Sequence, residues 1–506
     1  MKSKILLIYP PLGLSGVFVR HPPTSLIHAA SYVNGAGYNV DIFDARIHPN
    51  NWKYILQQYD IKDYLLCGIS VMSGPPVKHA AEISSLIKSI APDSHVVLGG
   101  PAASFTPESL LHFDPNADFV ISGYGAKPLL ELANCLSVNT VPENIPGIYY
   151  RTTLSTVTGT PPDWSAHELL SHDAIPYHLI PDYSPYGQLD NKQRIFSIYS
   201  SIGCPYHCAF CSSPALYNRI SGRKWLPIPA GEVVDHIEYL IQKYQAEYIY
   251  FIDDDSFVDL KHVDKIIDLI NQRNIRIRLG FRGARINEIK KMSHDFLDKL
   301  AAAGTDILHI GAETGSDRLL KLIRKDCTVN DIIQCNIKLS KHKQIFSFYN
   351  FILGIPTESI SDLNATSKLM LRLVDDNPQC IISTPNVFRP LPGTELYKIA
   401  RETYNYSTPN SLDELAKLEV ETNFNLPWIS RTHQNYMRMM LLSSYFVDNK
   451  IEKMNTGSTA LISILKTLNT IYKPLARLRL KYGLHQFLLE DMFYRLAQKI
   501  LTKPSL

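Results

Sequence analysis

No stretch of this 506-residue chain reaches the roughly 18 consecutive apolar residues that a membrane-spanning helix needs. The opening MKSKILLIYPP has too short an apolar run for a secretory leader and no small-residue cleavage site, so Lys4 to Tyr9 reads as a first buried strand. Charge of one sign is lacking too. Lys and Arg number 51 against 48 Asp and Glu, a net charge of +3, so nothing global points to nucleic acid. Low-complexity tracts and short internal repeats are absent. Eight cysteines in a chain this long are too few for a disulfide framework. The protein is expected to be cytoplasmic. With 45% hydrophobic residues it has material for large cores, and its length fits two or three domains.

Two stretches alternate strand and helix patterns. The first, residues 1–140, contains the apolar runs KILLIY, VDIFD, LLCGISV, HVVLGG and DFVISG, separated by segments such as VKHAAEISSLIKSIA. Continuous apolar strands alternating with helices predict a buried parallel sheet, here a doubly wound domain whose ligands sit at the carboxyl ends of the strands. Residues 141–193 form a connector in which Pro161–Pro162, Ile175–Pro176, Ile180–Pro181 and Ser184–Pro185 are expected to break any regular element. The second stretch, residues 194–400, offers IFSIYSS, EYIYFID, RIRLGF, DILHIGA, FSFYNFILG and QCIISTPNVF as strands. Six β/α units predict a partial (β/α)6 barrel with its chemistry at the carboxyl ends. Residues 401–506 read as a helical domain. From residue 450 onward there are ten Lys or Arg and three Asp or Glu, in segments such as STALISILKTL and HQFLLEDMFYRLAQKIL with apolar faces at helical spacing. Packing on the barrel is the plain reading of that tail. A peripheral contact of its basic helices with an anionic membrane is the other.

Chemistry concentrates in Gly203–Cys204–Pro205–Tyr206–His207–Cys208–Ala209–Phe210–Cys211, just after the first strand of the second stretch. Three thiolates spaced C-x₃-C-x₂-C can wrap one face of an iron–sulfur cubane, and with no fourth cysteine nearby one iron stays open to a small molecule. A structural zinc site would need a fourth ligand, and His207, the local candidate, lies between two of the cysteines, badly placed for the same metal. Of the five scattered cysteines, Cys67 and Cys380 sit in apolar strand-like runs and read as inert buried thiols.

The cysteine spacing, with Phe210 before the last thiol, resembles the signature of the radical S-adenosylmethionine (SAM) superfamily. Other segments agree. Asp253–Asp254–Asp255–Ser256–Phe257 is similar to the family's Asp–Asp–x–Phe segment near the SAM amino group. Gly311–Ala312–Glu313–Thr314–Gly315–Ser316 is similar to its Gly–x–Glu–Thr–Gly–Ser segment, which places Glu313 near the ribose or methionine. Gly354–Ile355–Pro356–Thr357–Glu358 matches its Gly–x–Pro–x–Glu pattern beside the adenine, and Pro390–Leu391–Pro392–Gly393–Thr394 resembles its final turn. The resemblance covers roughly residues 195–400. It implies a [4Fe–4S] cluster on Cys204, Cys208 and Cys211, with SAM met by Phe210, Asp254, Asp255, Glu313, Gly354, Ile355 and Pro356. It also implies a one-electron donor such as flavodoxin or ferredoxin.

The order of doubly wound domain, barrel and helical tail resembles the cobalamin (B12)-binding group of that superfamily. Tyr9–Pro10–Pro11, Ser70–Val71–Met72–Ser73 and Gly99–Gly100–Pro101 fall at strand ends where the group contacts cobalamin, and glycines there let backbone approach a bulky ligand. Two departures stand out. No Asp–x–His–x–x–Gly stretch supplies a histidine for cobalt, and the group's acidic Gly–Glu–Gly–Glu reads Gly123–Tyr124–Gly125–Ala126. The contacts implied are Pro11, Ser70, Val71, Met72, Gly99, Gly100, Pro101, Gly123, Tyr124 and Gly125. The resemblance implies a cobalamin-dependent C- or P-methyltransferase on an unactivated centre of a small-molecule substrate. The alternatives are a non-methylating oxidative cyclase of the anaerobic porphyrin type and a non-catalytic iron–sulfur or cobalamin-binding module. Trp428 and Tyr436 in the tail are expected either to line a pocket or to pack in a core.

Overall fold

The computed structural model describes residues 3–12, 21–153, 156–163, 165, 168–187, 194–219, 221–417, 424–453, 459–488 and 490–491. The chain divides into two compact units. The first holds Met1–Tyr186, Ser407–Asn423 and Thr502–Leu506; the second holds Gly187–Tyr406 and Phe424–Leu501.

The first unit is a seven-stranded sheet. Strands β1 (Lys4–Tyr9), β2 (Asn39–Asp44), β3 (Tyr64–Ser70), β4 (His95–Gly99) and β5 (Phe119–Ile121) run parallel in the order β2-β1-β3-β4-β5. Side chains alternate across each strand. Leu6 and Ile8 therefore join one core with Cys67, Ile69 and Leu98, while Ile5, Leu7 and Tyr9 join the opposite one with Leu66 and Val97. Two buried faces explain why β3, YLLCGIS, is buried at every position. The strand order reverses between β1 and β3, the switch point at which doubly wound folds bind ligands.

The connector departs from expectation. β6 (Ile148–Arg151) and β7 (Val157–Gly159) extend the same sheet antiparallel beyond β5, so the unit runs well past residue 140. Prolines end these strands but do not prevent them, because they lie outside the paired residues. The short helix Leu412–Lys417 also departs from a purely C-terminal domain. It returns to the first unit, burying Leu415 and pairing Asp413 with Lys78 on the helix Pro76–Ile90.

In the second unit, β8 (Ile195–Ile198), β11 (Tyr248–Phe251), β12 (Arg278–Ala284), β13 (Thr305–Glu313), β14 (Phe346–Leu353) and β15 (Cys380–Ile382) are parallel neighbours in chain order, the open partial barrel the sequence predicts. β16 (Asn386–Val387) continues the pairing on β14 beyond β15. An antiparallel ribbon of β9 (Ser201–Gly203) and β10 (Trp225–Pro227), not foreseen, closes the base of the cysteine segment. Beyond the barrel, the helices Arg431–Ser444 and Thr459–Tyr482 pack on the barrel helix Ile360–Asp376. Most of HQFLLEDMFYRLAQKIL lies outside the described residues. Among the described residues no helix is long and apolar enough to cross a membrane.

Candidate active site

Every residue singled out in the barrel lies at or just past the carboxyl end of a strand. Cys204 follows β9; Cys208 is buried; Cys211 caps the short helix Ser212–Tyr217 and donates its N–H to the Cys208 carbonyl. Phe210, half-buried, sits between the last two thiols. All three thiols are free. Burial pushes the Cys204 and Cys211 thiols up, with Asp254 and Asp255 adding to the shift at Cys204. Among the described residues no three His, Cys, Asp or Glu side chains gather around a single-ion site. A cleft of about 450 Å³ borders the segment, lined by His207, Cys208, Cys211, Gly393, Thr394 and Tyr397. Asp254, Glu313 and Gly354 do not line it.

A set of buried ions surrounds the thiols. Arg285, the first residue after β12, donates from Nη1 to Cys208 Sγ at 2.8 Å and from Nη2 to the Lys325 carbonyl at 3.0 Å. Its guanidinium lies 3.9 Å from the centre of the Tyr206 ring. Tyr206 in turn hydrogen-bonds Glu288, and Glu288 accepts the Arg285 backbone N–H. Lys325 Nζ meets Glu313 Oε1 at 2.6 Å, both side chains buried. Three thiolates carry three negative charges that a buried site must balance. The donor set of three unpaired thiols beside two buried cations therefore suits an anionic iron–sulfur cluster.

The expected SAM contacts divide. Asp254 is exposed and accepts from Ser213 and Tyr217, both on the helix that Cys211 caps. Asp255 is buried against Glu288, and burial together with that neighbouring carboxylate raises its carboxyl well above the usual range. Asp253, fully buried, accepts from the hydroxyls of Ser200 and Ser201 and braces the turn below the cysteines. Glu313 ends β13 with a left-handed φ of 62°, a strained state for a non-glycine residue, held by its bond to Lys325. Gly354 (φ 80°), Ile355 and Pro356 form a tight turn one strand further on, with the Gly354 N–H on Glu358 and its carbonyl accepting from Trp428 Nε1 at 2.8 Å. Trp428 thus braces that turn, whereas Tyr436 is core.

In the first unit the carboxyl ends of β1, β3, β4 and β5 make one rim. Val71 accepts from Ala102 and donates to the Gly99 carbonyl at 2.6 Å, joining Ser70–Val71 to Gly99–Gly100–Pro101. Gly100 has φ 102°, and a Cβ there would lie 3.1–3.3 Å from Val71 and Ser70. Gly123 is tied to Ser104 Oγ, and Gly125 precedes the helix Ala126–Ser137, with Tyr124 between them. Pro11 is buried past β1, and Tyr9 donates to Met72 Sδ at 3.0 Å across the switch point.

Two family descriptions match the chain: the radical SAM superfamily over residues 198–370 and the B12 binding domain over residues 16–133. The chain thus carries a radical SAM domain and a B12-binding domain. The two matched descriptions name SAM and B12 as the groups these domains handle. It is 28% identical to an uncharacterized methyltransferase of Pyrococcus horikoshii over 82% of this chain and 88% of that one. It is 23% identical to the anaerobic magnesium-protoporphyrin IX monomethyl ester cyclase of Rubrivivax gelatinosus over 80% and 73%. It is also 23% identical to the cytidylyl-2-hydroxyethylphosphonate methyltransferase of Streptomyces wedmorensis over 72% and 76%. Its fold is similar to that of the cobalamin-dependent radical enzyme OxsB (TM-score 0.73, 17% identity, 99% and 77% covered). It also resembles the radical SAM methyltransferase TsrM from Kitasatospora setae (0.64, 20%, 81% and 80%).

For this radical SAM enzyme, sequence reasoning missed Tyr206, Arg285, Glu288 and Lys325. The signal was faint: an arginine just past a strand end and a lysine just past a short helix, where charged residues usually face solvent. It also missed a buried cluster on the first unit's rim. There Arg46 lies 3.9 Å from the Tyr9 ring and forks onto Asp44, which accepts from Tyr186 at 2.9 Å.

Proposed function

We propose that this chain is a cobalamin-dependent radical SAM methyltransferase acting on an unactivated carbon or phosphorus centre of a small molecule. The observation that carries the reading is that both halves of such an enzyme stand in one chain. Three free thiols lie among buried cations at the carboxyl end of the barrel, and the other unit has a glycine-built rim at its switch point. When bound, the cluster supplies the electron that cleaves SAM, and cobalamin supplies a transferable methyl group.

The chain's own residues would do the rest. Cys204, Cys208 and Cys211 would hold the cluster. Asp254, exposed at the barrel mouth, would attract the SAM ammonium, while Asp255 and Glu288 brace the segment behind it. Glu313, fixed by Lys325, would present a carboxylate to the ribose or methionine, and the Gly354–Pro356 turn would offer backbone to the adenine edge. Phe210 would cover the cluster side and keep water out. Pro11, Ser70–Met72, Gly99–Pro101 and Gly123–Gly125 would receive cobalamin. A flavodoxin- or ferredoxin-type donor would supply electrons.

The test is anaerobic turnover of the reconstituted protein with cobalamin and a reductant. Methyl transfer gives S-adenosylhomocysteine and 5′-deoxyadenosine in similar amounts. Deoxyadenosine without S-adenosylhomocysteine would favour the oxidative cyclase reading, which the Rubrivivax gelatinosus relative supports.

A peripheral membrane contact belongs to the same proposal. The helix Thr459–Tyr482 exposes Leu468, Ile471, Leu475, Leu478 and Tyr482 at spacings of three and four, beside Lys473, Arg477 and Lys481. An apolar stripe next to cations suits an anionic lipid surface. The full chain should sediment with vesicles containing phosphatidylglycerol and not with pure phosphatidylcholine, and I471E should release it. Equal recovery with both vesicles would end this reading.

A further inference from the structure

Arg285 is more than a nearby charge, because its geometry is specific. We propose that Arg285 is the residue that sets the reduction potential of the cluster, by donating an N–H to the sulfur of Cys208. This rests on the reading that the three cysteines hold a [4Fe–4S] cluster.

The guanidinium is fixed on several sides. Nη1 meets Cys208 Sγ at 2.8 Å, Nη2 meets the Lys325 carbonyl at 3.0 Å, and the Tyr206 ring lies 3.9 Å away. Arg285 is 6% exposed and Cys208 9% exposed, so solvent does little to weaken the contact. Arginine keeps its charge at any working pH. The other charges here are largely matched to one another: Lys325 is paired with Glu313, and Glu288 shares its carboxylate between Tyr206 and the Arg285 backbone. Tyr206 and Ser213 offer neutral hydrogen bonds to Cys204 and Cys211, so among the described residues Arg285 is the charged side chain that donates to a ligand sulfur.

Hydrogen bonds to cluster sulfurs and burial are among the factors that set iron–sulfur potentials. A donor carrying a positive charge bonds more strongly than a neutral one. Gaining an electron makes the cluster more negative, so a fixed cation at one sulfur stabilises the reduced form and raises the potential. Arg285 does not touch SAM in this account. It is a positioning and tuning residue that acts through Cys208.

The direct experiment uses the intact wild-type protein, reconstituted and reduced without SAM. Protein grown with guanidino-¹⁵N arginine should show a ¹⁵N hyperfine coupling to the reduced cluster in pulsed electron–nuclear double resonance. A cluster with no such coupling overturns the proposal. In parallel, R285Q and R285K are titrated with redox mediators and the reduced cluster is followed by electron paramagnetic resonance. R285Q is expected to lower the ratio of reduced to oxidised cluster at fixed potential at least tenfold, which is 59 mV for a one-electron couple. R285K, which keeps the charge but loses the fork, should fall between R285Q and wild type. An unchanged potential in cluster-loaded R285Q also overturns the proposal. If R285Q fails to fold or load, the isotope experiment on the wild type still decides. Absence of any cluster signal from the wild type would instead sink the cluster assignment itself.

Discussion

Lys325 and Glu313 meet at 2.6 Å with both side chains more than nine-tenths buried, one at the end of β13 and the other twelve residues later. A buried pair of this kind adds little net stability, but removing one partner strands the other charge. K325M should therefore destabilise the second unit by about 3–5 kcal/mol, and K325M/E313Q should recover much of the loss. Urea denaturation of K325M, E313Q and the double variant gives the cycle. Additive effects of the two substitutions would mean that the ions do not act as a pair.

Glu358 gives a pH prediction. Burial pushes its carboxyl up to about 8, against backbone N–H groups of Gly354 and Ile355. Unfolded, it titrates near the ordinary glutamate value of about 4.3. Between these values the folded chain holds a proton that the unfolded chain has lost. Stability from this group is complete at low pH and falls as pH rises through that window, by at most about 1.4 kcal/mol per pH unit. E358Q removes the titration. Its stability relative to wild type should increase from about pH 5 to about pH 8 and level off above. A difference that stays constant with pH would refute the assignment.

C204A, C208A and C211A should each lose the visible absorption of the reconstituted cluster and all 5′-deoxyadenosine formation. None of these residues belongs to the first unit, so cobalamin uptake should survive. Cleavage of SAM by cluster-loaded C208A would overturn the ligand set.

Gly100 carries a conformational prediction. Its φ of 102° and ψ of −169° lie in a region open essentially to glycine, and a Cβ would press on Val71 and Ser70. G100A should cost about 1–3 kcal/mol in the first unit and weaken cobalamin binding at least tenfold. Both are measurable, by thermal unfolding and by spectral titration. Wild-type affinity in G100A would remove this turn from the cobalamin site.

Much of the fold was legible because its signals are local. Continuous apolar strands such as LLCGISV, and the alternation in FSFYNFIL, follow from period-two geometry on buried sheets. The six barrel strands fall where their apolar runs lie. The antiparallel β6–β7 extension was hidden by prolines nearby, and β9–β10 by its shortness. The helix Leu412–Lys417 was misplaced because amphipathic periodicity reports that a face is buried, not against what.

The sequence by itself determined the thiol set. Cys204, Cys208 and Cys211 lie within eight residues, so chain connectivity alone keeps them together. It likewise determined the glycine turns at Gly100 and Gly354, whose backbone states few other residues tolerate. Only the tertiary structure decided what surrounds the thiols. Arg285 and Cys208 stand 77 positions apart in the chain, and Tyr206 and Glu288 stand 82 apart. Contacts at such separation are made by strand ends converging on one face of a sheet. A charged residue past a strand reads the same in sequence whether it meets water or a buried sulfur.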